Sequence, residues 1–142
     1  MFTGEYRHSV DAKGRVAIPA RFRAQLEEGA VVCKWINGCA AVFTKAAFEK
    51  LVAKVAVLPI ADEKARAFSL FLSSSAFEQE RDAQGRIILP AAIRDWAAVR
   101  SEAVVVGAFD HVEIWSPERW AEFQTGVDTP GALASNLAGL GI

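Results

Sequence analysis

The chain carries one short segment twice, and this duplication constrains its fold more than any other feature of the sequence. Residues 11–23 read DAKGRVAIPARFR and residues 82–94 read DAQGRIILPAAIR, 71 positions apart, with seven of thirteen residues identical. A second echo follows, because VFTKAAF at 42–48 matches IWSPERW at 114–120 at a spacing of 72. This near-constant spacing indicates that a whole structural unit is duplicated, with one residue of slippage in a loop.

Each copy predicts a β-hairpin followed by a short helix. Apolar and polar residues alternate on both sides of the segment 11–14, where Asp can bond its own backbone and Gly tolerates positive φ. Pro19 is predicted at the first position of a short helix, and Pro90 at the same position in the second copy. Two more strands are predicted around an Asn37-Gly38 turn. Further helices are predicted behind the capping residues Thr44, Asp62 and Ser116.

Composition limits the kinds of protein this chain can be. It has 142 residues, of which 52% are hydrophobic, and a formal net charge of −1, which suits one domain or two small intertwined units. No apolar run reaches the ~18 residues of a membrane span, and the N-terminus lacks the apolar centre of a signal peptide, so we expect a cytoplasmic protein. Cys33 and Cys39 alone do not supply a four-ligand zinc shell, and neither a metal nor a cofactor is expected.

The duplicated turn places an arginine directly after glycine in both copies. Taken once, such a turn is only a hairpin connection followed by a solvated charge. Its recurrence, together with a local excess of cations in the first 23 residues, favours a role in binding anions. Those cations are Arg7, Lys13, Arg15, Arg21 and Arg23. A tight turn would hold Arg15 rigidly outward, and guanidinium groups suit both phosphates and guanine edges.

The doubled pattern Asp-x-[Lys/Gln]-Gly-Arg-[Val/Ile]-x-[Ile/Leu]-Pro-Ala, in a chain that begins Met-Phe-x-Gly, resembles the MraZ family of bacterial regulators. Their repeated unit belongs to the AbrB-like, swapped-hairpin class, and the match covers residues 1 to about 125. The resemblance implies an α+β, β-rich fold in which two units interleave within one chain as a pseudo-twofold, β-barrel-like core with short flanking helices. It also implies a ring-forming homo-oligomer that binds tandem promoter repeats and represses the division and cell-wall gene cluster.

The family's functional motif, Asp-x-x-x-Arg, occurs once in each copy. By similarity, its arginine contacts double-stranded DNA and its aspartate sets the loop, and the protein is expected to associate with the nucleoid. The predicted DNA-contacting residues are Arg15, Arg86, Lys13 and Arg7. The predicted turn-forming residues are Asp11, Gly14, Asp82 and Gly85.

The two copies differ in charge beside the motif. The first has Arg7, Ser9 and Lys13 where the second has Glu78, Glu80 and Gln84. Because carboxylates repel a phosphate backbone, we expect the first copy to dominate contact with DNA.

The repeat also divides the chain into segments. Residues 1–58 and 74–125 are predicted as the two AbrB-like units, residues 59–73 as a connecting helix, and residues 126–142 as a flexible C-terminal tail. Four apolar residues are predicted either in the core or against a neighbouring subunit: Phe68, Leu70, Phe71 and Phe123.

Three other classes of function are alternatives to DNA binding: an enzyme, a protein-binding module and a structural ring or scaffold. An enzyme is not indicated, because the chain lacks a Gly-rich phosphate loop and the common hydrolase motifs, and because His8 and His111 are predicted at the surface rather than as bases. A protein-binding module related to antitoxins uses the same hairpin class, typically with one unit and an acidic disordered arm. A structural ring or scaffold would need no DNA.

Overall fold

The computed structural model describes residues 1–80 and 82–142. Within them, the strands are β1 (Glu5–Ser9), β2 (Arg15–Ala17), β3 (Ala30–Trp35), β4 (Cys39–Thr44), β5 (Phe77–Gln79), β6 (Arg86–Ile88), β7 (Glu102–Gly107) and β8 (Val112–Trp115). The helices are α1 (Ala20–Arg23), α2 (Lys45–Ala56), α3 (Glu63–Ser75), α4 (Ala91–Ala97), α5 (Pro117–Val127) and α6 (Pro130–Leu137).

The strands of the two repeats interleave, as the family resemblance implied. One antiparallel sheet has the order β1-β7-β8-β4-β3-β5, and β2 pairs with β6 in a separate two-stranded ribbon. Exchanging every strand for its counterpart in the other repeat (β1 with β5, β2 with β6, β3 with β7, β4 with β8) returns the same order reversed. The strand pairing therefore has a pseudo-twofold axis, and the interleaved fold class is confirmed.

The register shows where this axis passes. Val16 lies opposite Ile87 at the centre of the ribbon, and Ala41 lies opposite Glu113 at the centre of the sheet. Both pairs join matching positions of the two repeats. The backbone is thus symmetric about these points, whereas the side chains are free to differ.

The sheet separates two apolar cores. On one face, its side chains pack against Val16 and Ile87 of the ribbon and against Phe22 of α1 and Ile93 of α4. On the opposite face, α2 and α3 pack against β3 and β4, and α5 packs against β7 and β8. The chain therefore forms three layers: the ribbon with two short helices, the sheet, and the longer helices.

The predicted helix caps are confirmed. Thr44, Asp62 and Ser116 each accept a hydrogen bond from a backbone amide of the first turn, at 3.0, 2.9 and 3.1 Å. Pro19 and Pro90 were each predicted as the first residue of a helix, but in the structure each lies directly before its helix. Their extended ψ angles of 137° and 151° make them the residues before the helix, so α1 and α4 begin one position later.

Helical residues (43%) outnumber strand residues (28%), so the flanking helices make up more of this α+β fold than the hairpin repeat indicated. The predicted connecting segment 59–73 contains most of α3, which continues to Ser75. Residues 126–142 include the end of α5 and the helix α6. The segment boundaries and the flexibility of the tail stay predictions. None of the described helices is long and apolar enough to cross a membrane.

Candidate nucleic-acid interface

In the first repeat, the carboxylate of Asp11 organises the turn that carries Arg15. Its Oδ1 accepts the backbone amides of Lys13 at 3.0 Å and Arg15 at 2.9 Å, and its Oδ2 accepts Arg15 Nε at 2.5 Å. The amide of Gly14 donates to the Asp11 carbonyl at 2.9 Å and closes the turn. One side chain therefore fixes both the backbone of the turn and the direction of the arginine.

The second repeat builds the same turn with the same bonds. Asp82 Oδ1 accepts the amides of Gln84 at 3.0 Å and Arg86 at 2.9 Å, and its Oδ2 accepts Arg86 Nε at 2.8 Å. The Gly85 amide donates to the Asp82 carbonyl at 3.0 Å. The Asp-x-x-x-Arg spacing is thus a structural unit in both copies.

These bonds lower the pKa of both aspartates. For each, the largest cause is the hydrogen bond from the backbone amide of the motif arginine, Arg15 or Arg86, and the arginine side chain acts in the same direction. Desolvation, the second largest cause, opposes the shift without reversing it. Both carboxylates therefore stay ionised, and keep their turns bonded, to a lower pH than an ordinary aspartate would.

The two turn glycines, Gly14 and Gly85, occupy positions where any side chain would be unfavourable. Gly14 and Gly85 have φ of +80° and +74°, a region that L-residues rarely occupy. A Cβ on Gly14 would lie 2.6 Å from the carbonyl oxygen of Leu89, and one on Gly85 would lie 2.6 Å from Nε of Arg23. Since Leu89 and Arg23 each belong to the opposite repeat, each turn is packed tightly against the other half of the chain.

Arg23 and Arg94 support these turns from behind. Arg23 Nε donates to the Ile18 carbonyl at 3.0 Å and lies against Gly85, while Arg94 Nε would be 2.8 Å from a Cβ on Gly14. Arg23 and Arg94 occupy matching positions in the sequence alignment of the two repeats. Only the interleaved fold shows that each one contacts the turn of the other repeat.

The two motif arginines project from the same face of the ribbon. Val16 and Ile87 point into the core and are 0% and 1% exposed. Because side chains alternate along a strand, Arg15 and Arg86 lie on the opposite, solvent-facing side. Arg86 Nη1 also lies 3.7 Å from Asp11 Oδ2, so the two motifs meet across the ribbon.

Each motif arginine has its inner nitrogen bound and its outer nitrogens available. The side chains of Arg15 and Arg86 are 32% and 27% exposed. Within residues 1–80 and 82–142, the terminal nitrogens of Arg15 have no hydrogen-bond partner, and those of Arg86 have only the long ion pair to Asp11. This arrangement presents two rigid guanidinium forks to one external ligand.

The other two predicted contact residues occupy different places. Lys13 is exposed in the first turn, two residues from Arg15. Arg7 lies in β1 at the edge of the sheet and pairs with Glu102 of β7 at 3.5 Å. The structure therefore groups Lys13 with the motif and gives Arg7 a separate partner.

The prediction that His111 lies at the surface is wrong. It is 9% exposed, its ring stacks on Phe43 with centroids 4.8 Å apart, and its Nδ1 and Nε2 lie 2.7 and 2.8 Å from carboxylate oxygens of Asp110 and Glu113. Burial disfavours the imidazolium, but the bonds to these carboxylates outweigh it and raise the pKa of His111. Sequence reasoning missed this because Phe43 belongs to the other repeat.

The cysteines behave as small apolar residues. Cys33 and Cys39 are fully buried, and burial raises the pKa of both thiols, that of Cys33 to about 12. Across the part of the chain that the structure describes, no three His, Cys, Asp or Glu side chains are grouped to hold a metal ion.

Comparison with known proteins identifies the family. A family model described as "MraZ protein, putative antitoxin-like" matches residues 1–71 and again residues 72–129. The chain belongs to the MraZ family. The two matched ranges follow the two interleaved halves of the fold, so the family pattern and the structural repeat coincide.

Similar proteins within the family carry the name transcriptional regulator MraZ. One from Roseiflexus castenholzii is 42% identical over 141 residues, which covers 99% of each chain. One from Natranaerobius thermophilus is 44% identical over 124 residues, 87% of each chain. One from Heliobacterium modesticaldum is 46% identical over 123 residues, 87% of this chain and 86% of the relative.

Proposed function

We propose that this member of the MraZ family is a transcriptional regulator that binds double-stranded DNA through the two Asp-x-x-x-Arg turns. The observation that carries the proposal is the common solvent-facing surface on which Arg15 and Arg86 stand with their outer nitrogens available. The names of the relatives support the regulatory role. The two units proposed to act together are residues 1–58 and 74–125.

The positions of the two motif arginines on the ribbon suit a nucleic-acid backbone or groove. Arg15 and Arg86 hold diagonal positions of an antiparallel pair, because Arg15 lies opposite Ile88 and Arg86 lies opposite Ala17. Such diagonal residues are about 7–8 Å apart, close to two steps of about 3.4 Å along a DNA strand. Bidentate donation to guanine O6 and N7 or to phosphate oxygens is the chemistry such forks favour.

The aspartates contribute by holding the arginines before DNA arrives. Because Asp11 and Asp82 already fix Nε of each arginine, little side-chain freedom is lost on binding. Preorganisation of this kind improves affinity without a new contact. Lys13, exposed beside Arg15, adds a charge for the phosphate backbone.

A single chain has few cations on this surface, and its net charge is −1. We therefore propose that several copies act together as a homo-oligomer, ring-shaped by similarity to the family, on tandem repeats. Linked modules that meet repeated sites can gain about 10²–10⁴ in avidity. By the same similarity, the proposed targets are the chain's own promoter and the division and cell-wall gene cluster, repressed in a cytoplasmic, nucleoid-associated setting.

The test is a salt titration of binding to the duplex upstream of the chain's own gene, with a scrambled duplex of equal length for comparison. Wild type is expected to prefer the upstream duplex and to weaken steeply as salt rises. The double variant Arg15→Ala/Arg86→Ala is expected to lose on the order of 10²-fold or more in affinity, since each good contact is worth about 1–3 kcal/mol.

Lys64→Ala/Arg66→Ala is the matched control, because Lys64 and Arg66 are exposed on α3, on the other side of the sheet. It removes the same two positive charges and should leave binding unchanged. A double variant that binds as tightly as this control would exclude the ribbon surface, and the absence of any shift at low salt would exclude DNA binding itself.

A second candidate is a protein-binding, antitoxin-like or scaffold role. The description of the family model includes the words antitoxin-like, which favours testing it. In that case the same low-salt titration shows no binding to either duplex.

A further inference from the structure

The helical side of the sheet carries two surfaces that the pseudo-twofold axis relates, and they differ in charge. The first, here called the α2 cleft, is a cavity of about 610 Å³ bounded by Lys50 and Lys54 of α2, by Phe43 of β4 and by Phe109, Asp110 and His111 of the turn between β7 and β8. The second, here called the α5 face, is the outer side of α5 with Glu118, Glu122 and Phe123.

Matching positions of the two helices carry opposite charges. Lys50 of α2 stands where α5 has Glu122, and Lys54 stands where α5 has Gly126. Neither lysine forms an ion pair with any described residue, and the same holds for Glu118 and Glu122. Both sets of charges are exposed and thus available to a partner.

The cation on the α5 face is already engaged. Arg119 Nη1 donates to the carbonyl oxygens of Gly38 at 2.8 Å and Trp96 at 2.6 Å. Its charge is thus directed inward, which leaves the two glutamates and the partly exposed ring of Phe123 (38%) on the outside.

Phe109, at the edge of the α2 cleft, has a backbone conformation that the fold itself imposes, because its amide donates to the Phe2 carbonyl at 2.9 Å and its carbonyl accepts from the Phe2 amide at 2.8 Å. Its φ is +67°, and its side chain is 70% exposed. The matching residue of the first repeat is Asn37, with φ of +66°, and asparagine tolerates this region where a bulky residue is strained. The strain is thus set within the subunit, and it is the exposed aromatic ring of Phe109 that is available for a contact outside it.

We infer that the α2 cleft of one subunit receives the α5 face of a second copy of this chain. Lys50 and Lys54 then face Glu118 and Glu122, and Phe109 and Phe123 supply apolar contact between the charged pairs. The inference rests on the homo-oligomer proposed above and specifies its contact surface. It is independent of the DNA-binding ribbon, which lies on the opposite side of the sheet.

The charges decide the polarity of the assembly. If two α2 clefts met each other, lysine would face lysine, and two α5 faces would bring glutamate to glutamate. Like charges across an interface are strongly unfavourable, whereas opposite charges select partner and register. A contact between unlike surfaces is head-to-tail, and such contacts generate closed rings or open filaments.

The experiment reverses each surface separately and measures assembly by sedimentation velocity at low salt. Lys50→Glu/Lys54→Glu makes both surfaces acidic, and Glu118→Lys/Glu122→Lys makes both basic. Each variant alone is expected to associate on the order of tenfold more weakly than wild type, or worse. An equal mixture of the two is expected to reassemble, because every contact in an alternating assembly again pairs unlike charges.

Wild-type association by either single variant, or failure of the mixture to reassemble, overturns the inference. Reassembly of the mixture also shows that both variants are folded. Binding to a short duplex with one site reports the ribbon separately and should be unchanged in both variants. Undiminished DNA binding by the Arg15→Ala/Arg86→Ala variant, with assembly intact, would instead contradict the proposed function and leave this inference standing.

The variant Phe109→Asn tests whether Phe109 is a strained contact residue or an ordinary surface residue. In the dissociated Lys50→Glu/Lys54→Glu background, it is expected to raise the unfolding temperature by about 2–4 °C, because asparagine relieves the backbone strain. In the wild-type background it is expected to weaken association several-fold. Unchanged association in that background would remove Phe109 from the interface.

Discussion

The two repeats are alike on the ribbon side of the sheet and unlike on the helical side. In the ribbon, Asp11 and Asp82 make the same set of bonds at distances that differ by at most 0.3 Å. On the helical side, Asn37 corresponds to Phe109, Lys50 to Glu122, and Ala41 to the partly buried Glu113. The backbone arrangement is repeated on both sides of the sheet, but the side-chain chemistry is repeated only on the ribbon side.

This difference indicates which surfaces depend on symmetry. Two equivalent turns on one ribbon present two matched guanidinium groups, which suits a ligand that is itself repetitive. A contact between copies of the chain can instead use two different surfaces, and joining the units in one polypeptide lets them diverge. Three measurements test where the two repeats are equivalent and where they differ.

The largest expected effect concerns the two turn glycines, which look equivalent in sequence. Gly14→Ala places its methyl group 2.6 Å from a backbone oxygen, that of Leu89, whereas Gly85→Ala meets the side chain of Arg23, which can move. Both also carry the cost of positive φ, about 1–2 kcal/mol. We expect a loss in unfolding free energy of about 3–4 kcal/mol for Gly14→Ala and about 1–2 kcal/mol for Gly85→Ala.

Urea denaturation measures both losses, and an unchanged m-value shows that the midpoints report stability. Equal losses for the two variants would mean that Leu89 yields as readily as Arg23, and that the packing behind the two turns is equivalent after all.

The next effect concerns the two motif arginines, which differ in their surroundings. Carboxylates flank the second turn at Glu78 and Glu80, while Lys13 stands in the first. We expect Arg15→Ala to cost about 2 kcal/mol of DNA-binding free energy and Arg86→Ala about 1 kcal/mol. Fluorescence anisotropy on one duplex at fixed salt gives both values. Equal losses would show that the flanking charges do not matter to DNA.

The smallest effect concerns the buried histidine, which occurs in only one repeat. The carboxylates of Asp110 and Glu113 raise the pKa of His111, so the folded protein holds this proton more tightly than the unfolded chain, whose histidine pKa is about 6.5. The resulting stabilisation is complete below that value and is lost as pH rises through the raised pKa. We expect unfolding free energy to fall as pH rises across this range, by about 1.4 kcal/mol for each unit by which the folded pKa exceeds the unfolded one.

His111→Gln is expected to remove that part of the pH dependence while the rest of the stability profile keeps its shape. Thermal or urea unfolding at a series of pH values measures it. If the unfolding free energy of the variant changes with pH as steeply as that of wild type, other groups cause the pH dependence.

Much of the fold could be predicted because its signals are local. The Asp-x-x-Gly turns, the caps at Thr44 and Ser116, and the α+β class all depend on residues a few positions apart. The place of each motif arginine at the end of a turn could also be predicted, since it directly follows the turn glycine. The burial of His111 and the strain at Phe109 were not predictable in this way. Both depend on contacts between distant parts of the chain.

The sequence by itself determined that one unit occurs twice and that each copy ends its turn with a motif arginine. Such features follow from backbone preferences of Asp, Gly and Pro, which act over a few residues. Only the tertiary structure decided that Arg23 supports the turn of the other repeat, and that Arg15 and Arg86 share one surface. Those relations arise because strands of the two repeats pair across the pseudo-twofold axis. Strands that lie far apart in the sequence are brought together by packing of the whole core, not by any local sequence pattern.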